Sequence, residues 1–421
     1  MSSMIRVTTL ANGLRVATDP METVESAAIG IWIDVGARDE DAATHGASHF
    51  LEHLVFKGTP ERDARAIAEE IEAVGGHLNA HTSREYTAYY AKVLKEDVVL
   101  AVDILADIVR NATLDPIEVD RERSVVVQEI LQAFDTPDDI VFDRFQETAF
   151  PDQPLGRSVL GSVDGIRALP RDVLVQYRDR HYCASRMIVV GAGRIDHDRL
   201  VDLVASRLGD LPAGEAPVRQ PARYTGGDCR DDRDLEQVHV ILGWEGVCFT
   251  DPDFYPLSVM ATLLGGGMSS RLFQEVREKR GLVYNIYTFP TSYLDDGLIG
   301  IYAGTGADEV AEVVPLICEE TVRLTADLTD AEVARSRAQL KAGMLMALES
   351  PSARCEQLAR QLLVFGRPLP LNEIVDHIAT VDREAVIRVI HRLLSRPPTL
   401  TAIGPLAGLH RLDDIAARLR P

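Results

Sequence analysis

The chain of 421 residues carries a formal net charge of −21 at pH 7, with 46% apolar and 26% charged residues, the composition of an ordinary soluble protein with room for two or three domains. Because nucleic acids and anionic membranes repel an acidic surface, this charge argues against both as partners. No apolar run approaches the ~18 residues of a membrane-spanning helix, no signal peptide is recognisable, and five scattered cysteines without a Cys-x-x-Cys pair indicate reduced thiols, so we predict a cytoplasmic protein.

The first elements of the chain are predicted strands. Apolar, β-branched runs cover residues 6–16, around an Asn12-Gly13 turn, and residues 27–35. The run 45–57 follows, and its apolar residues predict a mostly buried helix that ends at Gly58. This helix contains the pentad His-Phe-Leu-Glu-His.

The pentad predicts a metal site. His49 and His53 are four residues apart, so on a helix they project from one face, and both imidazoles can reach one metal at about 2.0–2.1 Å. Glu52 lies close enough to act on a water without being a ligand, in the inverse of the common zinc-protease order. The alternative is two core histidines with a salt-bridged glutamate, but buried polar groups need partners, and burial alone supplies none.

A second histidine pair lies further along the chain. Residues 64–74 predict a helix ended by two glycines, and the Thr- and Tyr-rich segment 77–90 predicts a strand or hairpin. His77 and His81 are also four residues apart, but four strand residues span about 13 Å. We therefore do not predict that these two histidines bind one ion.

The next segment offers a carboxylate as third ligand. Residues 96–111 and 117–134 predict helices, the second started by Asp115-Pro116. Glu122 and Glu129 are seven residues apart and share one face of that helix. Two histidines on zinc leave a place for one more protein ligand and a water. Spacing alone leaves open whether Glu129 or Glu122 is that ligand, or whether both belong to a salt-bridged surface.

Three motifs together resemble the pitrilysin family of zinc peptidases, and the processing peptidases in particular. They are the pentad, the segment 75–87 (Gly-Gly-His-Leu-Asn-Ala-His-Thr-Ser-Arg-Glu-Tyr-Thr) and the segment 122–129 (Glu-Arg-Ser-Val-Val-Val-Gln-Glu). The resemblance implies one Zn²⁺ per chain, held by His49, His53 and Glu129, with Glu122 supporting the site. It also implies that Glu52 is the general base on a zinc-bound water.

The resemblance extends to substrate binding. It implies that a peptide adds as a β-strand along Asn79-Ala80. It also implies that Asp139 and Asp143 receive a basic residue near the cleaved bond, although two carboxylates on a solvated helix are an equally good interpretation of the residues themselves.

The second half of the chain repeats the first. Beyond a helix over 171–180, a strand over 187–193 and a helix over 199–208 comes a Pro- and Gly-rich stretch without periodicity. Residues 328–337 then echo residues 114–123, which places Gly343 opposite Glu129 and Ser336 opposite Glu122, with no histidine pair before them. The second half therefore repeats the fold without the metal site.

These patterns predict an α+β protein of two duplicated α/β domains, each a largely antiparallel sheet covered by helices and forming a half-shell. The predicted zinc-binding catalytic domain spans residues 1–211, the linker 212–234, and the metal-free repeat 235–421. The repeat carries its own signature over 264–284, in which Arg277 and Tyr284 are seven residues apart. On the residues alone, Arg277 is explained as a surface cation and Tyr284 as a packed aromatic ring. The resemblance implies instead that both bind the substrate carbonyl.

We predict a zinc-dependent endopeptidase that hydrolyses peptides or unfolded segments enclosed in a chamber. One chain supplies one half-shell, so the resemblance implies a homodimer with shared active sites. The alternative is a non-catalytic or partner-dependent subunit of a processing-peptidase-like complex. Such subunits typically lack the histidine pair or its glutamate, and this chain has both.

Overall fold

The computed structural model describes residues 5–215 and 218–420. They divide into two compact units. The first unit contains the described residues up to Gln132 together with Arg157–Gln220 and Met346–Pro368. The second contains Ala133–Gly156, Pro221–Leu345 and the described residues from Leu369 onward.

Regular elements cover most of both units. The β-strands are β1 Arg6–Thr9, β2 Arg15–Pro20, β3 Ser26–Ile33, β4 His77–Thr82, β5 Thr87–Leu94, β6 Met187–Gly193, β7 Gly227–Asp232, β8 Val238–Glu245, β9 Val283–Ser292, β10 Gly297–Thr305 and β11 Thr399–Gly404. The α-helices are α1 Ala47–Leu54, α2 Ala64–Ala73, α3 Val98–Asn111, α4 Pro116–Phe134, α5 Pro137–Ala149, α6 Val163–Ala168, α7 Arg171–His181, α8 His197–Leu208, α9 Phe254–Gly265, α10 Val310–Asp327, α11 Asp330–Ala347, α12 Pro351–Phe365, α13 Leu371–Ala379, α14 Arg383–Leu394 and α15 Leu412–Arg418.

The two sheets show the duplication directly. In the described part of the chain, the first sheet has the strand order β1-β2-β6-β3-β5-β4 and the second the order β7-β11-β8-β10-β9. Leaving β1 aside, both sheets begin with one parallel pair, β2 with β6 and β7 with β11. The remaining pairs are antiparallel in both. The predicted fold class, two similar and largely antiparallel sheets covered by helices, is confirmed.

Each sheet is buried on both faces, and one face is covered by a helix from the other half of the sequence. In the first unit, Leu358 and Leu362 of α12 pack against Trp32 and Ile188 of the sheet. In the second unit, α5 covers a face of the sheet with side chains such as Phe145. Larger apolar cores fill the opposite faces. The two halves of the sequence have therefore exchanged one helix each.

This exchange means that the compact units do not follow the chain order. The division into 1–211, 212–234 and 235–421 stays a prediction about domains along the sequence. The predicted linker also contains a regular element, because β7 pairs with β11 over residues Gly227 to Asp232. A parallel partner far along the chain makes this segment a strand, although its own sequence has no apolar alternation.

Several other segments agree with local sequence signals. Asp63 caps α2 by accepting a hydrogen bond from the Ala66 amide, and the helix stops before Gly75, whose φ of +68° suits glycine. Within residues 5–215 and 218–420, no helix combines the length and apolar character needed to cross a bilayer. The cytoplasmic location stays a prediction.

Candidate metal centre

Helix α1 carries the histidine pair on a rigid base. Its apolar side chains Phe50, Leu51 and Leu54 are buried in the core of the first unit, which fixes how the helix is rotated. His49 and His53, one turn apart, therefore project together, and their ring centroids lie 4.7 Å apart. His49 is buried, whereas His53 is partly accessible.

The start of α1 is held by a carboxylate that sequence reasoning did not single out. The two oxygens of Glu40 accept hydrogen bonds from the amides of Gly46 and Ser48, each at 2.7 Å. These are among the amides that a helix leaves unpaired at its first turn. Burial raises the pKa of Glu40 to about 8, although the two amide hydrogen bonds act in the opposite direction.

Gly46 allows the close approach that this arrangement needs. Its φ is +91°, and a Cβ there would lie 2.6 Å from Cδ1 of Ile166. A larger residue would strain the backbone and displace the start of α1.

Three donor atoms from α1 and α4 converge. Oε2 of Glu129 lies 3.6 Å from Nε2 of His49 and 3.3 Å from Nε2 of His53. Donors bonded to one zinc at about 2.0–2.1 Å with tetrahedral angles stand about 3.3–3.4 Å apart. Within the residues that the structure describes, these three form the one group of His, Cys, Asp or Glu side chains able to hold a metal, with donor atoms within 4.8 Å of one another. The donor set thus fits a zinc ion.

The charges of the cluster also suit a cation. Hydrogen bonds with His49 and His53 hold the pKa of Glu129 well below its usual range. Burial lowers the pKa of His53, but its hydrogen bonds with Glu129 and Glu122 outweigh burial, and the pKa lies above the usual value. Both shifts favour a negatively charged Glu129 beside a positively charged partner.

Glu122 contacts Nδ1 of His53, the ring nitrogen that does not face Glu129. Its Oε2 lies 3.2 Å from Nδ1 of His53, and its Oε1 lies 2.7 Å from Nζ of Lys57. Spacing left open which glutamate of α4 meets the histidines at the metal. In the structure Glu129 faces both Nε2 atoms, and Glu122 lies behind His53.

Glu52 projects from α1 outside the donor set and is held by the edge strand β4. Thr82 Oγ1 donates a hydrogen bond of 2.6 Å to Oε2 of Glu52. The predicted substrate strand, Asn79 and Ala80, lies on β4, which pairs with β5 at the end of the first sheet. The Ala80 amide donates to Oδ1 of Asn79 at 2.8 Å. The carboxylate and the sheet edge are therefore directly linked through Thr82.

Family profiles match most of the chain. Residues 15–163 match the family described as Insulinase (Peptidase family M16), and residues 168–340 match the Peptidase M16 inactive domain. A protein of Streptomyces coelicolor named as an uncharacterized zinc protease is 40% identical over 98% of this chain and 93% of its own length. The chain belongs to the M16 peptidase family. The resemblance stated from the sequence is confirmed.

Other proteins are similar to this chain over nearly its whole length. A probable mitochondrial-processing peptidase subunit beta of Arabidopsis thaliana is 40% identical over 96% of this chain and 79% of its own length. An uncharacterized zinc protease of Mycobacterium tuberculosis is 41% identical over 95% of this chain and 93% of its own. Among solved structures, a chain of Complex III2 from Candida albicans matches with a TM-score of 0.88 at 21% identity, covering 98% of this chain and 99% of that one, which shows a common fold.

In the second unit of this M16 family member, Arg277 and Tyr284 lie next to each other. The Arg277 guanidinium stands over the ring of Tyr284 at 5.0 Å and over that of Phe273 at 4.8 Å. Residues Phe273–Glu278 form a π-helical turn, a form often found at functional sites. Tyr284 is the second residue of the edge strand β9, and 72% of its surface is accessible. The pair is accessible to a ligand, and its contact with the substrate carbonyl stays a prediction.

Asp139 and Asp143 lie on α5, one turn apart. Partial burial and the negative charges of Asp143 and Asp138 raise the pKa of Asp139. These carboxylates thus favour a nearby cation. Their predicted contact with a basic substrate residue stays a prediction.

Sequence reasoning missed three residues that support the site: Glu40, Lys57 and Thr82. Two of them left a signal in the sequence. Lys57 follows His53 by four residues, the spacing of neighbours on one helix face. Thr82 and Ala80 are two residues apart on a strand and share a face. Nothing local connects Glu40 to the helix that follows it.

Proposed function

We propose that this chain is a zinc-dependent endopeptidase. The observation that carries the proposal is the convergence of His49, His53 and Glu129 with a further carboxylate, Glu52, beside them. Three protein donors leave a coordination place for water or substrate, which is typical of catalytic and not structural zinc. Relatives at about 40% identity that are named zinc proteases support the choice of metal and reaction.

When bound, zinc supplies Lewis acidity that polarises a peptide carbonyl and lowers the pKa of water towards ~7. Glu52 then takes the proton of the attacking water and returns it to the leaving amine. Thr82 holds Oε2 of Glu52 by a hydrogen bond of 2.6 Å, so Oε1 is the oxygen that accepts this proton. The hydrogen bond also fixes the carboxylate orientation, on which proton transfer depends.

The edge strand β4 is proposed to bind the substrate. An extended peptide that adds to β4 would form main-chain hydrogen bonds, which give affinity without demanding particular side chains. Thr82 ends the same strand and contacts Glu52, so a peptide bound along Asn79 and Ala80 would be aligned with the base. This arrangement favours broad specificity, with Asp139 and Asp143 proposed to select basic residues.

We further propose a homodimer in which Arg277 and Tyr284 of one chain stabilise the oxyanion at the zinc of the other, within an enclosed chamber. The stacking of Arg277 on Tyr284 supports a joint role, because it presents a guanidinium and a phenol side by side. The alternative is that both groups serve the site of their own chain.

Subunit complementation tests the shared site. Homodimers of Glu52→Gln and of Tyr284→Phe should each be impaired. After subunit exchange, a mixed dimer with shared sites has both defects in one chamber and none in the other, so peptide hydrolysis should return. Mixing Glu52→Gln with Glu129→Ala is the control, since every chamber then keeps a defect. Absence of recovery despite exchange confirmed by native mass spectrometry would exclude sharing.

Metal removal tests the peptidase function itself. Treatment with 1,10-phenanthroline should abolish the digestion of a peptide library, and added Zn²⁺ should restore it. Mass spectrometry of the peptides measures the digestion. Circular dichroism should keep its helical signal, because the first unit has a large apolar core of its own. Digestion that survives the chelator would contradict a zinc mechanism, and collapse of the helical signal would assign the metal a structural role.

A further inference from the structure

Glu122 lies in a chain of three side chains that ends at the metal centre. Its carboxylate is buried, with 6% of the residue exposed. One oxygen contacts Nζ of Lys57 at 2.7 Å and the other contacts Nδ1 of His53 at 3.2 Å. The opposite nitrogen of His53 faces Glu129 at 3.3 Å. Lys57, Glu122 and His53 thus form a continuous line toward the convergent donors.

The contact with Glu122 selects the form of His53 that binds metal. A carboxylate only accepts hydrogen bonds, so it pairs with Nδ1 when that nitrogen carries the hydrogen. The lone pair then lies on Nε2, the nitrogen that faces Glu129. Partners of this kind fix both the tautomer and the ring orientation of metal-binding histidines. The value of His53 as a ligand therefore depends on where Glu122 points.

Lys57 is placed to hold Glu122 in that orientation. It ends the short 3₁₀ turn Val55–Lys57 that follows α1 directly. The next residue, Gly58, accepts hydrogen bonds from the amide and hydroxyl of Thr113, in the segment just before α4. This tie fixes the backbone beside Lys57 relative to the helix that carries Glu122. The ammonium is then a fixed positive partner for one carboxylate oxygen.

We propose that Lys57 is a positioning residue of the metal centre, which acts on the ligand His53 through Glu122. By occupying Oε1, it turns Oε2 toward Nδ1 of His53, and its charge compensates that of the buried Glu122 carboxylate. The proposal rests on the metal site of the proposed function. It adds to that site the Lys57 ammonium group, which acts without contact to the metal or the substrate.

A merely structural ion pair predicts a different result from a positioning role. If Lys57 only stabilised the fold, its removal would lower the melting temperature and leave the affinity for Zn²⁺ unchanged. If it positions His53, the affinity falls in protein that remains folded. Zinc affinity, measured by competition with a chromogenic chelator, separates the two without any activity assay.

We expect Lys57→Met to weaken zinc binding by about 10- to 100-fold, the usual effect of removing a partner that orients a ligand. Lys57→Arg, which keeps the charge, should restore most of the affinity. Lys57→Gln keeps a polar side chain and should lose as much zinc affinity as Lys57→Met. It replaces Lys57→Met in the experiment if the methionine variant does not fold. Lys95→Met is the matched control, because Lys95 forms an ion pair with Glu25 on the surface of the same unit.

A double-mutant cycle tests the route through Glu122. Once Glu122→Ala has been introduced, Lys57→Met should cause little further loss of zinc affinity, because Lys57 acts on His53 only through Glu122. Additive losses, or an unchanged affinity in folded Lys57→Met and Lys57→Gln, would overturn the proposal. Failure of the peptidase function gives a separate result: a wild-type protein that binds Zn²⁺ tightly but digests no peptide.

Discussion

Replacing Glu52 by glutamine is expected to lower the rate of peptide hydrolysis by about 10²- to 10⁴-fold while the protein keeps its zinc. Glutamine preserves the size of the side chain and can still accept the hydrogen bond from Thr82. It cannot take a proton from water. Because Glu52 is not among the three convergent donors, the metal should be unaffected.

Turnover of a quenched peptide and metal content by atomic emission, both measured on the same preparation, test this expectation. Glu61→Gln is the matched control, since Glu61 is an exposed glutamate of the same unit and should behave as wild type in both measurements. Normal turnover in Glu52→Gln would refute the role of Glu52 as general base. Loss of zinc would instead place Glu52 among the ligands.

Replacing Glu129 by alanine is expected to remove the metal and with it the activity. Its Oε2 is the atom that meets both histidines, at 3.6 Å from His49 and 3.3 Å from His53. Partners that only orient a ligand are worth about 10- to 100-fold in affinity, so loss of a direct donor should cost more than about 100-fold. The two remaining nitrogens are too few for a catalytic zinc site.

Dialysis against a weak chelator followed by metal analysis measures this loss. Asp120→Ala is the matched control, because Asp120 is a carboxylate on the same helix, with 82% of its side chain exposed. It should retain zinc and activity. Full metal content in Glu129→Ala would show that another group serves as the third ligand. The two main variants therefore separate base from ligand by metal content alone.

The site was predictable to the extent that it depends on local periodicity and on motifs. The common direction of His49 and His53 follows from their spacing and the helical repeat, so the amino-acid sequence is enough to infer it. The same holds for α1, α2 and β6, whose apolar patterns are clear along the chain. The family resemblance was needed to prefer Glu129, because Glu122 shares its face of α4 and spacing treats the two alike.

Other features could not be inferred from any segment taken alone. The exchange of α5 and α12 between the two halves joins segments that are far apart in the sequence. Each helix is amphipathic, but its pattern does not show which sheet it will cover. Strand β7 likewise exists because β11 pairs with it. Which segments make up each compact unit therefore could not be inferred from the sequence.

The amino-acid sequence by itself determined the metal-binding pentad through local spacing, the duplicated fold through the echo of residues 114–123 in residues 328–337, and the family through motifs that resemble its members. Only the tertiary structure decided that Lys57 holds Glu122, that Thr82 holds Glu52 and that Glu40 caps the helix with both histidines. The reason is physical. Hydrogen bonds and ion pairs depend on distances of about 3 Å between side chains, and folding alone brings such atoms together when they come from separate elements.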